Sequence, residues 1–324
     1  CSEDLEDLIV HASALLINIG TVTPDKVTYY KEAITLAKAH EVPIVLDPVG
    51  CHAGAYRLSV VLDLIKTDAI SLLRGNQSEI KAIYDALNTN HKVNNSLSGK
   101  GVDGEQVEDS AIITYRLARQ ISCPVVATGE EDYVSDGTRV FAVPHGHPIM
   151  TAVTGTGCLL GAVLAAFFSS YYPFMHNMPI GEFLAYALAY YGLAGESAVK
   201  VSGVKPGSFS VAFMDALYEF DDAMLLSGNR IRPVVVPDQL KVYFISGTQD
   251  VGFNERHLLD TVEAACRGGV TCFQFREKGT GTLGGQQKLE LAQQLKEICA
   301  MYNVLYIIND DVDLAVAVNA DGCL

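Results

Sequence analysis

Tryptophan is absent from this sequence, and no two cysteines have the CxxC spacing. The eight cysteines therefore offer neither a zinc motif nor a thiol–disulfide motif, and we interpret them as reduced, mostly buried thiols. The most apolar stretch, Leu159–Phe168, has about half the length needed to span a bilayer. A leader peptide pattern is also missing. The sequence thus predicts a cytoplasmic protein with no membrane segment.

Basic side chains are few: 23 Lys and Arg stand against 38 Asp and Glu, a formal charge of -15. Such a charge repels a phosphate backbone, so we expect no nucleic acid partner. A small nucleotide remains possible, because backbone amides, one arginine and a magnesium ion bind phosphate locally. Hydrophobic residues make up 49% of the chain, which is enough for two folded domains.

Short β-rich segments alternate with helical periodicity from Ala12 to Gly129, which predicts a parallel sheet covered by helices. Residues 132–146 (DYVSDGTRVFAVPHG) predict a hairpin, and the polar stretch Asn90–Gly104 predicts a loop. Helical periodicity then predicts a set of helices covering Lys26–His40, Asp109–Gln120, Thr156–Tyr172, Ile180–Val201 and Ser208–Leu225.

The two prolines of residues 227–239 interrupt the helical pattern and predict a linker between a first domain, 1–226, and a second, 240–324. The second domain repeats strand and helix as a (β/α) TIM barrel does. A complete barrel needs about 250 residues, so we predict a partial one. The chain starts without methionine and stops near a predicted strand start, which indicates a sequence cut at both ends.

The sharpest local signal is VTGTGC, Val153–Cys158, where two glycines precede a long predicted helix. The backbone amides of Gly155, Thr156 and Gly157, together with the positive end of the helix dipole, predict an anion hole for a phosphoryl group in transfer. The alternative is an ordinary helix N-cap, and the motif alone does not decide between them.

RGNQSE, Arg74–Glu79, follows a β-like segment and so lies where ligands of open α/β sheets bind. Its spacing predicts that Arg74 pairs with phosphate oxygens and that Glu79 holds magnesium, directly or through water. The alternative is a capping pair of Asn76 and Glu79. Asp47 and Thr128 end two further β-like segments, so polar groups converge on one edge of the predicted sheet.

Six motifs in this order resemble hydroxyethylthiazole kinase: NIGT (Asn18–Thr21), LDPVG (Leu46–Gly50), RGNxxE, ATGEEDYVSDG, VTGTGCLL and KPGSF (Lys205–Phe209). The resemblance implies a ribokinase-like fold, ATP as co-substrate and Mg2+ as cofactor. It also implies a homotrimer with active sites between subunits. The family has an upstream segment that provides a first strand and part of the thiazole pocket, and this chain starts after it.

The same resemblance implies ATP contacts at Arg74 and Thr128, a thiazole contact at Gly155, and magnesium near Asp47 and Glu79. Cys158 stands where other ribokinase-like enzymes carry an aspartate base. Because a helix N-terminus favours a thiolate, Cys158 is a candidate to accept the proton of the substrate hydroxyl. The alternative is that this cysteine only fills a small buried space.

In the second domain, QFREK (Gln274–Lys278) and IINDD (Ile307–Asp311) end two predicted barrel strands on the catalytic face. Arg276 and Lys278 share one side of an extended chain and could clamp a diphosphate, with Asp310 on its magnesium. The alternative is a solvated basic strand end beside an acidic loop.

The segments YFISG, GGVTCFQFREK and YIINDDVDLAVAVNADG resemble the start of thiamine-phosphate synthase. This resemblance implies binding of hydroxymethylpyrimidine diphosphate by Gln274, Arg276, Lys278 and Asn309, with Asp310 on magnesium. We expect no synthase activity from these residues alone, because the later strands of the barrel do not follow.

The function predicted from the sequence is ATP-dependent phosphorylation of 4-methyl-5-(2-hydroxyethyl)thiazole in thiamine biosynthesis. The alternatives are a kinase of another small alcohol or a pyrimidine, and a scaffold module that binds nucleotide without turnover. A half-barrel with an activity of its own is a weaker alternative, because an open strand edge promotes aggregation.

Overall fold

The computed structural model describes residues 4–88, 103–174, 178–219 and 221–324. They form two compact units, Cys1–Val234 and Val235–Leu324. The loop predicted at Asn90–Gly104 lies outside the described residues except for its last two positions.

The first unit contains a seven-stranded sheet whose strands are adjacent in chain order. Strands β1 to β4 are parallel, and β4 to β7 are antiparallel. This pattern confirms the predicted parallel sheet and the hairpin, which is formed by β5 and β6. The strands are β1 (Leu15–Asn18), β2 (Ile44–Asp47), β3 (Leu72–Asn76), β4 (Val125–Thr128), β5 (Asp132–Ser135), β6 (Val140–Val143) and β7 (Arg232–Val234).

Helices cover both faces of this sheet, because neighbouring strand residues point to opposite faces. Leu46 and Leu73 pack into one core, whereas Val45 and Leu72 pack into the other with α6, α7 and α8. The helices of the unit are α1 (Leu5–Val10), α2 (Pro24–Ala39), α3 (Ala55–Ile65), α4 (Gln77–Leu87), α5 (Asp103–Ile121), α6 (Thr156–Phe174), α7 (Ile180–Ser202), α8 (Pro206–Glu219) and α9 (Asp222–Gly228).

Two features near residue 230 differ from the sequence pattern. The single helix predicted over Ser208–Leu225 is two helices, α8 and α9, because the Asp221 side chain accepts the Met224 N–H at 2.8 Å and caps a new helix start. Within the predicted linker lies β7, which pairs with β6 and sets Pro233 opposite Phe141. Three residues that include a proline are too short to indicate a strand.

The second unit repeats strand and helix around a four-stranded parallel sheet in the order β8, β9, β10, β11. Phe273 and Tyr306 face the helices, whereas Cys272 and Ile307 face the other side of the sheet. This confirms the predicted partial barrel, since a complete one has eight such strands. The elements are β8 (Tyr243–Ser246), α10 (Glu255–Arg267), β9 (Cys272–Phe275), α11 (Gly285–Met301), β10 (Leu305–Ile308), α12 (Val312–Ala317) and β11 (Gly322–Cys323).

The thiols agree with the sequence prediction: the described cysteines are free, and most are buried. A search of the helices in the described ranges finds none whose length and apolar content would allow it to cross a membrane.

Candidate active site

A cavity of about 860 Å³ opens where the carboxyl ends of the parallel strands meet the start of α6. Its walls come from strand ends far apart in the chain and from the turn before α6. The structure therefore brings together every site residue predicted for the first unit. These residues are Asp47, Arg74, Glu79, Thr128, Gly155, Thr156, Gly157 and Cys158.

The turn before α6 requires a glycine at one position. Gly155 has a φ of +98°, while nothing lies within 4 Å of where its Cβ would be, so backbone conformation rather than space selects glycine. The Thr156 hydroxyl donates to the Met150 carbonyl at 2.7 Å and so holds the turn itself. The amides of Gly157 and Cys158 lie in the first helical turn, where a helix provides no backbone acceptor. These amides and the helix dipole favour an anion.

Arg74 connects two strand ends and lies against this turn. Its side chain is 8% exposed; Nη2 donates to Thr128 Oγ1 at 3.2 Å, and Nη1 lies 3.4 Å from Asp47 Oδ2. A Cβ on Gly157 would be 3.6 Å from Nη2 of the same guanidinium. A fixed positive charge therefore adjoins the free amides, which is an arrangement suited to phosphate oxygens.

Asp47 is fully buried in the cavity wall. Its Oδ2 accepts from Asn18 Nδ2 at 2.9 Å, whereas Oδ1 has no hydrogen-bond partner among the described residues. Burial raises the pKa of Asp47 to about 6; Arg74 acts to lower this pKa and the Glu79 carboxylate to raise it. A buried carboxylate oxygen without a partner fits a magnesium ion or a water bound to one.

Glu79 caps α4, which is the alternative that the sequence left open. One carboxylate oxygen accepts the Gly50 N–H and the other the Asn76 N–H, both at 2.8 Å, while Asn76 Oδ1 accepts the Glu79 N–H at 2.9 Å. With both oxygens bonded to amides, contact with a cation through water fits better than direct ligation.

A magnesium site at this cavity would rest on two carboxylates rather than on a dense cluster. No group of three or more His, Cys, Asp or Glu side chains suited to a metal occurs in the described part of the chain. Magnesium is usually bound by one or two carboxylates together with waters and substrate phosphates. Asp47 and Glu79 therefore fit magnesium that arrives with a nucleotide.

Cys158 is exposed at the cavity rather than packed in a core. Its Sγ accepts a hydrogen bond from Asn18 Nδ2 at 3.4 Å, and Asn18 Oδ1 in turn accepts the Gly20 N–H at 2.9 Å. Filling a buried space is thus not what this cysteine does. Sequence reasoning included Asn18 in a motif without a role, although it is polar and ends β1 as Asp47 ends β2.

Asp132 and His145 are among the polar residues of the cavity wall that the sequence did not single out. Asp132 accepts the Gly129 N–H at 2.9 Å, and burial raises the pKa of Asp132 to about 7. His145 accepts the Arg230 N–H at 3.0 Å, and burial and the Arg230 charge lower its pKa. Asp132 could have been suspected from the acidic run after β4. Nothing in the sequence pairs His145 with a residue so distant in the chain.

The second unit has a cavity of about 430 Å³ that brings together Lys278, Asn309 and Asp310. Lys278 Nζ pairs with Asp310 Oδ2, which also accepts from Asn309 Nδ2 at 2.7 Å. The hydrogen bond from Lys278 lowers the pKa of Asp310. A second pair, Lys288 and Asp311 at 2.7 Å, lies in the same wall.

Gln274 and Arg276 are not among the residues that line this second cavity. Gln274 is buried and, by alternation along β9, lies on the sheet face of Cys272 and Ile307. Arg276 is exposed just beyond the end of β9. The structure thus assembles three of the five predicted residues. The other two lie in β9, which precedes Lys278, or directly after it.

A helix-covered sheet with a phosphate-suited turn, an arginine and buried carboxylates at its carboxyl edge defines a small-molecule kinase of ribokinase-like fold. Residues 1–223 match the model of the hydroxyethylthiazole kinase family, and residues 242–323 match that of thiamine monophosphate synthase. The chain belongs to the hydroxyethylthiazole kinase family and carries thiamine-phosphate synthase sequence after it. The two family matches assign the chain to thiamine biosynthesis. Membership of a kinase family implies ATP as co-substrate.

Individual relatives agree with this assignment. The chain is 45% identical over 227 residues to a hydroxyethylthiazole kinase of Streptococcus agalactiae, covering 70% of this chain and 84% of that protein. It is 37% identical over 230 residues to hydroxyethylthiazole kinase 1 of Streptococcus pneumoniae, covering 71% and 83%. The solved hydroxyethylthiazole kinase of Pyrococcus horikoshii OT3 superposes with a TM-score of 0.62 at 32% identity, covering 72% of this chain and 82% of that one.

Proposed function

We propose that the first-unit cavity transfers the γ-phosphoryl group of ATP to the hydroxyl of 4-methyl-5-(2-hydroxyethyl)thiazole. The observation that carries this proposal is the convergence, in one cavity, of the Arg74 guanidinium, the unpartnered Asp47 oxygen and the turn before α6. Phosphoryl transfer depends mainly on positioning and on stabilising charge, and these groups provide both.

Arg74 and Thr128 bind the ATP phosphates in this proposal. Arg74 supplies the positive charge, and Thr128 fixes its position through the 3.2 Å hydrogen bond to Nη2. Asp47 would hold magnesium with its free oxygen, and Glu79 would contact it through water. Bound magnesium would neutralise charge on the phosphates.

The anion hole is the turn at Gly155, Thr156 and Gly157, in which the amides of Gly155 and Gly157 stabilise the transferred group while the Thr156 N–H donates to the Val153 carbonyl at 3.4 Å. Gly155 also contacts the thiazole. Cys158 Sγ accepts the proton of the thiazole hydroxyl as that oxygen forms its bond to phosphorus and ADP leaves. Support for this role comes from the exposure of Cys158 to the cavity and from Asn18, whose amide donates to the sulfur.

The first experiment measures ATP consumption with magnesium and the thiazole, with the product identified by mass. Cys158→Ala should lower kcat about 10²- to 10⁴-fold, the range for loss of a general base. Cys323→Ala, a half-buried thiol of the second unit, is the matched control and should change nothing. A loss below ten-fold for Cys158→Ala would contradict the base role but leave the kinase assignment intact.

Two outcomes would support the alternatives. If the folded chain binds MgATP but produces no thiazole phosphate while phosphorylating another small alcohol, the substrate assignment is wrong. Binding of MgATP without turnover of any alcohol would indicate a scaffold module.

For the second unit, we propose that Lys278 and Asn309 bind the diphosphate of hydroxymethylpyrimidine diphosphate, with Asp310 on its magnesium and Gln274 and Arg276 contacting the same ligand. Support comes from the shared cavity and from the Lys278–Asp310 pair, which a bound diphosphate would exchange for its own contacts. Calorimetry with this ligand and magnesium tests the proposal. Lys278→Met should abolish binding, whereas Lys81→Met, which removes an exposed pair on α4, should not.

We also propose that the protein is a homotrimer and that it is located in the cytoplasm. The homotrimer is supported by three exposed residues that share one face of α8, Val211, Met214 and Tyr218, since subunit contacts commonly cover such stripes. Sedimentation velocity of the chain and of its Met214→Ser, Tyr218→Ser variant would test it. A monomer in both would contradict the homotrimer.

A further inference from the structure

The segment Asn229–Val234, which we name the edge segment, lies between the residues matched by the two family models. It comprises the end of the connection after α9 and the whole of β7. Its two arginines, Arg230 and Arg232, contact loops that form walls of the kinase cavity. Through these contacts the edge segment is connected to the cavity, although it lies outside the part of the chain that matches the kinase family.

Arg230 holds the loop that leads into the phosphate-binding turn. Its guanidinium donates to the Pro144 carbonyl at 3.1 Å and to Glu196 Oε1 at 2.6 Å, and its backbone N–H donates to His145 Nε2. Glu196 Oε1 also accepts the Gly146 N–H at 3.1 Å. This loop lies close against α7, because a Cβ on Gly192 would be 2.5 Å from the His145 Cβ.

The loop held by Arg230 continues directly into the anion hole. His145 and Gly146 line the cavity, and the chain then passes through a short 3₁₀ helix, Pro148–Ala152. Within that helix the Met150 carbonyl accepts the Thr156 hydroxyl, so the loop and the turn are tied together. A displacement of the loop is therefore passed to the amides before α6.

Arg232 holds the loop on the other side of the cavity. Its Nη2 donates to both oxygens of Glu131, at 2.8 and 2.7 Å. Glu131 lies between Glu130 and Asp132, which both line the cavity, and three residues after Thr128. The Glu131 carbonyl also accepts from Gln77 Nε2 at 3.0 Å. Arg232 thus fixes the loop that follows the proposed ATP contact.

We propose that the edge segment is a clamp in which Arg230 and Arg232 are positioning residues for phosphoryl transfer. Arg230 acts on the transition state through the loop and turn before α6, and Arg232 acts on ATP binding through the loop after β4. The inference rests on the proposed kinase function and adds to it a segment that neither family model contains.

A purely structural role would predict a different result. The side chains of Arg230 and Arg232 are 50% and 55% exposed, and exposed ion pairs add little to global stability. Their replacement should therefore leave the thermal midpoint nearly unchanged. Catalysis, in contrast, responds to small displacements of the reacting groups. The kinetic parameters, taken one by one, distinguish the two roles.

The experiment compares Arg230→Ala, Arg230→Lys, Arg232→Ala and Arg232→Lys in the full chain. Arg230→Ala should lower kcat about ten-fold with little change in either KM, and Arg232→Ala should raise the KM for ATP about ten-fold with the KM for thiazole unchanged. Each lysine variant should recover part of the loss, because it keeps the charge but not the fork of donors. Arg256→Ala, which removes an Arg–Asp pair on α10, is the matched control.

Unchanged kcat and KM values in both alanine variants would overturn the clamp. A lower kcat that disappears when the rate is divided by the folded, MgATP-binding fraction would also overturn it, because unfolded protein lowers the apparent kcat and leaves both KM values unchanged. Calorimetric binding of MgATP provides a readout independent of the alcohol. If the unaltered chain binds MgATP but phosphorylates no thiazole, the proposed function fails, while a raised Kd for MgATP in Arg232→Ala would still support the clamp and an unchanged Kd would overturn it.

Discussion

At the scale of single residues, the cavity is built from charged groups held away from water. Asp47 and Arg74 are buried beside each other, and the Asp47 pKa is nevertheless raised to about 6, so burial outweighs the neighbouring positive charge. A second cation would reverse this balance by favouring the carboxylate. This is the physical reason to expect that magnesium and the charged form of Asp47 bind together.

The raised pKa of Asp132 predicts how the stability of the chain depends on pH. Its pKa is raised from 3.8 to about 7, so the folded chain holds this proton more tightly than the unfolded chain, and Asp132 makes stability fall as pH rises from about 4 to 7. Asp132→Asn should remove this decline and raise the free energy of unfolding at pH 8 by about 2 kcal/mol, a value reduced for partial exposure.

Urea denaturation at several pH values measures this effect. Asp63→Asn, which alters an exposed aspartate paired with Lys66, is the control and should leave the pH dependence as it is. An Asp132→Asn chain whose stability falls with pH as steeply as that of the unaltered chain would show that Asp132 is not the group responsible.

Residues at strand ends were predictable because the motif order and the strand pattern together locate them on one edge of a parallel sheet. Asp47, Arg74 and Thr128 belong to this group. His145 could not be predicted in this way, because its contacts with Arg230 and Gly192 depend on how α7 packs against a loop. Sequence spacing carries no information about such a contact.

At the scale of elements, α4 depends on a carboxylate that also faces the cavity. Glu79→Gln replaces one of two oxygens by an amide group that cannot accept from Gly50 or Asn76, so a partly buried N–H loses its partner. The free energy of unfolding should fall by about 1–3 kcal/mol. Thermal or urea unfolding measures this, with the exposed Glu297→Gln on α11 as control. Equal stability of the two variants would contradict the capping role.

The positive φ of Gly155 in the turn before α6 predicts the effect of replacing this glycine. Gly155→Ala meets no neighbouring atom but must adopt a φ of +98°, so it should cost about 1–2 kcal/mol of stability or flatten the turn, and kcat should fall with it. Gly207→Ala in α8, where φ is not positive, should be neutral or slightly stabilising. Full activity of Gly155→Ala would show that the turn tolerates another shape.

Long, strongly patterned elements were predicted with bounds close to those observed, as for α6 and α7. The division between α8 and α9 was missed because a single capping aspartate, Asp221, interrupts a continuous apolar pattern. Strand β7 was missed for the opposite reason: it is too short for its alternation to be recognised, and its pairing with β6 is a long-range contact.

At the scale of the whole molecule, the alternation of strands and helices was enough to predict two α/β units. The boundary between the two units was harder to predict. The chain after α9 has the composition of a linker, yet it completes the first sheet. We propose that the kinase unit extends to Val234 rather than to residue 226.

Shortened chains test this boundary. A chain ending at Val234 should retain thiazole kinase activity, whereas one ending at Leu226 should lose both the clamp and the strand that covers β6, whose four residues are buried. Activity, together with light scattering for aggregation, measures the difference. Equal activity and solubility of the two shortened chains would contradict both the boundary and the importance of the edge segment.

Pro233 gives β7 a consequence beyond the active site. A proline has no N–H to offer a further strand, and proteins commonly use proline on the outermost strand to block pairing with other chains. The sheet of the kinase unit therefore ends in a strand that closes β6 and is a poor template for growth. Pro233→Val would restore a backbone N–H to the outermost strand of this sheet, and we expect it to make association with other chains easier.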